Sequence, residues 1–169
     1  MLRADTPSTG PAASAAVFVA GLQDEQAALT AFTTLLQAEQ DALVEGDTDR
    51  LGAIAADKAA QIALLTHLGE QRNRHLAEQE LSGSADGMLA WMGRNPGFAA
   101  AVKKIWRELL AQAEKARQIN DNIGMLIERR LQHTRVQLAV LQSAAAAVGV
   151  YRADGQLRPQ QGARLLGLG

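Results

Sequence analysis

An all-α fold, an elongated antiparallel helical bundle or coiled coil of three long helices plus one short connecting helix, is what this sequence predicts. Three observations carry that expectation. Apolar residues make up 47% of the chain and only 4% of it is aromatic, a predominance of Ala and Leu that suits slender, closely packed helices and not a β-sandwich. Long stretches repeat their apolar residues at alternating steps of three and four. Gly, Pro, Asp and Ser cluster at only a few places, which divide the chain into segments.

The first helix is expected from about Ala13 to Val44. Phe18, Leu22, Leu29, Phe32, Leu36 and Leu43 form one stripe if Glu25 and Glu39 are allowed at two of its positions,. Both carboxylates are expected to tilt outward to water. Paired acid/base catalysis between them is a poor alternative, because fourteen residues of helix separate them by roughly 21 Å,. Gly46-Asp47-Thr48-Asp49 then breaks the pattern: Gly leaves the helical region readily, and Asp47 or Thr48 caps the next helix,. The second helix is expected over about 48–81, with Leu51, Ile54, Ile62, Leu65, Leu68 and Leu76 inward and Lys58, Arg72 and Arg74 available to acidic groups. Its far end, Glu70 to Glu80, is polar and is expected to project or fray.

Ser82-Gly83-Ser84, Asp86-Gly87, Gly93 and Asn95-Pro96-Gly97 leave room for one short helix, about 85–92,. Met88, Leu89, Trp91 and Met92 make this connector apolar. It either folds back to close the end of the hairpin or offers an adaptable partner surface. From Phe98 to about Val148 there is no proline, and Phe98, Val102, Ile105, Leu109, Ala116, Ile119, Ile123 and Leu126 keep the stripe before it drifts one position to Ile127, Leu131, Thr134, Leu138, Leu141 and Val148,. About fifty helical residues span roughly 75 Å, more than either partner helix covers. The drifted stripe is therefore the first candidate binding surface.

The organisation expected is a disordered tail over 1–14, a helical domain over 15–148 and a mobile tail over 149–169, in which Leu157, Leu165, Leu166 and Leu168 are apolar enough to dock,. No run reaches the ~20 apolar residues of a membrane span, and the start is a poor match to a secretory signal. Cysteine is absent, so there is no disulfide framework and no thiolate chemistry, and a cytoplasmic home is the default. Residues up to Val102 hold six basic and thirteen acidic side chains, a net of −7, and Lys103 onward hold eleven and five, a net of +6. An acidic half can thus pack on a basic one. The basic half is interrupted by Glu108, Glu114, Asp121 and Glu128 and lacks aromatic interleaving, which argues against nucleic acid,.

Catalytic signatures are missing. There is no phosphate loop, dinucleotide fingerprint or nucleophile elbow, and no Glu-x-x-His pair of the kind a di-iron bundle uses. His67, His75 and His133 are read as ordinary polar residues on helix surfaces. No catalytic, cofactor-binding or metal-binding residue is assigned, and the chain is not expected to be an enzyme.

The order of these signals resembles the FlgN family of flagellar type III secretion chaperones. The residues that carry the likeness are Leu35-Leu36, Ala42-Leu43 and Gly46-Asp47; Leu51, Lys58, Leu65, Leu68 and Gln71-Arg72; Trp106, Leu109-Leu110, Asn120, Gly124, Leu126-Ile127 and Arg130-Leu131; and Tyr151-Arg152-Ala153-Asp154-Gly155. Ile123 stands where the family tends to have a second Asn, and Arg152 where it has Gly. The resemblance implies a cytosolic protein without cofactors that binds the C-terminal segments of the hook–filament junction proteins FlgK and FlgL, keeps them unassembled and delivers them to the export-gate protein FlhA. It also implies that Tyr151 docks on that gate. Ile127, Leu131, Thr134, Leu138 and Leu141 are the expected client-binding residues. The rival reading is a structural homodimeric coiled coil that tethers other proteins.

Overall fold

The computed structural model describes the backbone of residues 10–149 and the side chains of residues 10–144. Four helices follow one another: α1 (Pro11–Glu45), α2 (Thr48–Ala77), α3 (Ala85–Arg94) and α4 (Pro96–Gly149). No strand occurs among the described residues. The chain divides into two compact units, residues 1–126 and 127–169.

Within the first unit α1, α2, α3 and the opening half of α4 share one apolar core. Phe18, Leu22, Leu29, Leu36 and Leu43 of α1 meet Leu76 of α2, Met88, Trp91 and Met92 of α3, and Val102, Ile105, Leu109, Ala116, Ile119 and Ile123 of α4. Side-chain contacts set the directions. Glu39 meets Lys58 and Glu25 meets Arg72, so α2 runs antiparallel to α1. Gln26 Nε2 donates to Glu108 Oε2 at 2.7 Å and Gln112 Nε2 to Thr30 Oγ1 at 3.3 Å, so α4 runs parallel to α1.

The turns follow from local chemistry. Gly46 adopts φ 80°, and the Asp47 N–H then reaches back to the Ala42 carbonyl, closing α1,. Asp47 caps α2 by accepting from the Arg50 N–H at 3.0 Å,. The same closing motif ends α2 with Glu80 at φ 57° in the glycine position, the Leu81 N–H bonding to the Leu76 carbonyl and the Glu80 N–H to that of Ala77. α2 therefore stops at Ala77, where periodicity pointed to Leu81, and Leu81 packs on the core. Ser84 caps α3. A Cβ at Gly87 would lie 1.8 Å from the Ser82 carbonyl oxygen, so only glycine lets the first turn of α3 approach this closely.

Several expectations need correction. Glu25 and Glu39 do not tilt out to water. Glu25 is buried and bonds Arg72 Nη1 at 2.5 Å, and Glu39 takes the Lys58 ammonium at 2.8 Å. Each cation also touches α4: the Arg72 guanidinium sits 5.2 Å from the Trp106 ring centroid, and Lys58 Nζ lies 3.5 Å from Asn120 Oδ1. Positions 25 and 39, 58 and 72, and 106 and 120 are each fourteen residues apart, two heptads on each of three helices. Two polar layers thus cross the bundle in one register. Both ion pairs lie inside the acidic half, and α1 meets α4 through apolar side chains with hydrogen bonds from Gln26 to Glu108 and among Thr30, Thr33 and Gln112.

Ile62, expected inward, is about half exposed, because Lys58 and Gln61 occupy the seam positions beside it. The far end of α2 does not project. Leu76 is fully buried and His75 stacks on Phe18 with ring centroids 4.4 Å apart, while Trp91 lies 4.5 Å from Phe18. Among the histidines, His75 is thus no plain surface residue. Burial lowers its pKa below the usual 6.5, opposed by the nearby Glu78 carboxylate, and its Nε2 accepts from Gln79 Nε2 at 3.0 Å.

Two predictions follow from this packing. Arg72→Ala leaves Glu25 buried without its cation and is expected to cost about 3 kcal/mol in denaturant unfolding, whereas Glu25→Leu/Arg72→Leu together stays within about 1 kcal/mol of the native chain. Because the unfolded His75 binds a proton more readily than the folded one, stability is expected to fall as pH drops through and below about 6.5,. Urea midpoints at pH 7.5 and 5.5 should differ less in His75→Phe, which keeps the stacked ring and removes the titration.

Candidate functional site

Every residue from 127 to 144 is exposed. In the first half of α4 the burial falls on Val102, Ile105, Leu109, Ala116, Ile119 and Ile123, with Leu126 partly covered. Continued in the same phase, that stripe would next meet Arg130, His133 and Gln137, all polar. The apolar residues instead shift by one position, which on a helix rotates them about 100°. Ile127, Leu131, Leu138 and Leu141 then recur at steps of four, seven and three, with Thr134 filling the gap.

Side by side on one face, the four aliphatic side chains are between 41% and 67% exposed. Thr134 spends its hydroxyl on the Arg130 carbonyl at 3.0 Å, so at this position it presents its methyl group and not a free donor,. Single exposed leucines are ordinary on protein surfaces, but a contiguous stripe four turns long is the usual mark of an interaction surface. Arg130 and Arg135 flank the stripe on its two sides. An amphipathic helix laid along it would bury its own apolar face against Leu131 and Leu138 while acidic flanks meet the arginines. Such a surface is suited to covering the apolar face of a partner.

The expected client-binding residues Ile127, Leu131, Thr134, Leu138 and Leu141 therefore all fall on one exposed face of α4. Tyr151 and the tail leucines Leu157, Leu165, Leu166 and Leu168 lie outside the described residues. The connector helix α3 offers no adaptable surface: Met88, Trp91 and Met92 are buried in the core, and only Leu89 of that group is exposed. Two exposed valines, Val136 and Val140, escaped the sequence reading because they lie off the stripe.

Elsewhere, a groove of about 400 Å³ between α1 and α2 is floored by Phe18, Gly21 and His75 and rimmed by Val17, Asp24 and Arg74. Among the described residues no group of three or more His, Asp or Glu is placed to hold a metal ion. No described helix is long and apolar enough to cross a membrane.

The residues that carried the sequence resemblance separate into two kinds. Lys58, Arg72, Trp106 and Asn120 build the polar layers that register the bundle. Ile123, which replaces a family Asn, is buried in the core. Ile127 and Leu131 belong to the exposed stripe.

A family model described as FlgN protein matches residues 14–159, most of the chain. Neither a curated protein nor a solved structure matches it. The chain belongs to the FlgN family, a family of flagellar export chaperones.

Proposed function

We propose, with membership of the FlgN family as the premise, that this protein is a cytoplasmic export chaperone that binds the C-terminal segments of the hook–filament junction proteins FlgK and FlgL, prevents their premature assembly and delivers them to the export-gate protein FlhA. The observation that carries this reading is the exposed stripe Ile127, Leu131, Leu138 and Leu141 on α4. A junction-protein segment that packs as an amphipathic helix after assembly exposes its own apolar face beforehand. Covering that face with the α4 stripe removes apolar surface from water on both molecules, at about 25 cal/mol for each Å² buried. Neither catalysis nor a cofactor is needed. Tyr151, by resemblance, docks on the export gate.

A homodimeric tether is the alternative, in which a second copy satisfies the same stripe. Calorimetric titration with the C-terminal segment of a junction protein from the same organism separates the two. The chaperone reading expects one-to-one binding that Leu131→Asp and Leu138→Asp together weaken by about 100-fold, as expected for two central contacts. Both side chains are exposed in the free protein, so thermal unfolding of the bundle should stay within about 0.5 kcal/mol of native,. A native chain that binds no segment and scatters light as a dimer would support the tether instead.

A further inference from the structure

The stripe Ile127 to Leu141 is not the only apolar face of this part of α4. At about 100° of turn per residue, Val136 lies about 180° round the helix from Ile127, and Val140 lies beside it,. Both are more than half exposed. A shallow depression on the Val136 side is lined by Glu128, Arg129, Gln132 and His133. A single straight helix covers a stripe roughly 100° wide. It cannot reach Leu131 and Val136 together.

Charge separates the kinds of occupant. Between Ile127 and Ala144 the chain carries Arg129, Arg130 and Arg135 against Glu128, a net of +2 with histidine neutral. If Leu131 and Leu138 are taken as a positions and Ile127, Thr134 and Leu141 as d positions, Arg130 falls at g and Arg135 at e. In a parallel pair of copies g faces the e position five residues on, which sets Arg130 against Arg135 of the second copy. A partner with acidic flanks turns the same positions into attractive contacts.

We propose that the partner segment encloses α4 from both sides with two amphipathic helical stretches, one with acidic flanks lying on Ile127, Leu131, Leu138 and Leu141 and the other on Val136 and Val140. The proposal rests on the client reading and specifies what kind of client it is. Matching the fifteen residues from Ile127 to Leu141 twice, with a connection of at least about six residues to cross the roughly 20 Å between helices on opposite sides of α4, requires a segment of about 36 residues or more,. A client helix that covers only the first stripe leaves the valines in water, and the second stretch adds affinity mainly by acting as a tethered neighbour of the first.

The test titrates the C-terminal segment of a junction protein into the native chain, into Leu131→Asp/Leu138→Asp and into Val136→Ser/Val140→Ser, with light scattering of each protein alone. All four positions are exposed, so circular dichroism should show the fold retained in both variants. The inference expects the valine variant to bind at least about tenfold more weakly than native, and shortening the segment to one helix to give the same loss with no further effect of the valine substitutions. Native-like binding by the valine variant, with binding lost in the leucine variant, would overturn enclosure and leave the client reading standing. No binding by the native chain would overturn the client reading and the inference with it. A native dimer that dissociates on valine substitution would assign that face to a second copy and overturn the inference.

Discussion

Two polar layers, one with a buried carboxylate and one half-buried, hold the helices of the first unit in one register. An apolar seam of Leu and Ala is nearly indifferent to a slip of one heptad, because Leu meets Leu again after the shift. Glu25 and Glu39 remove that indifference. In the observed register each meets a cation of α2, and each cation meets a polarisable or polar group of α4, Trp106 in one layer and Asn120 in the other. A one-heptad slip would leave Glu25 opposite Leu65 or Gln79, neither of them a cation, at the several kcal/mol that an unpaired buried charge costs. The layers contribute less to net stability than to the choice among registers. Glu25 Oε2 and Arg72 Nε are buried with no hydrogen-bond partner among the described residues, so the inner layer is only partly compensated.

Register in turn determines which apolar residues are covered. The seam of α4 runs from Val102 through Ile123 to Leu126 and its continuation is polar, so the apolar residues after it lie on a different face. A helix that spends its apolar residues on a core gains stability from them. One that leaves Leu131, Leu138 and Leu141 in water forgoes that gain. Under the proposed function the arrangement has a purpose: a chaperone for an amphipathic segment needs a stable scaffold and an unsatisfied stripe, and here the two would be consecutive lengths of one helix.

Much of this was legible in the sequence. The 3-4 periodicity of Phe18 to Leu43 and of Val102 to Leu126 announced helices and their inner faces, and the one-position drift at Ile127 announced the change of face. Asp47 and Gly46 marked the first turn. What escaped was relational. Glu25 and Glu39 read as surface carboxylates because a single helix shows no partner, yet the fourteen-residue spacing shared by Lys58 with Arg72 and by Trp106 with Asn120 was present all along. The end of α2 escaped because Glu80 takes a left-handed conformation that its residue type does not announce. His75 escaped because its stacking on Phe18 joins residues far apart in the chain. Val136 and Val140 escaped because a stripe search looks along one face only.

Hydrogen exchange of the backbone amides, with and without the C-terminal segment of a junction protein, tests most directly the division of labour between registered bundle and uncovered helix. In the free chain, amides of residues 127–144 should exchange fast, since no side chain there is buried and local opening costs little, while those around Leu22, Leu36, Val102 and Leu109 exchange slowly,. Adding the segment should slow residues 127–144 by at least about tenfold and leave the bundle unchanged. Protection that appeared in α1 or α2 instead, with residues 127–144 still fast, would contradict the account.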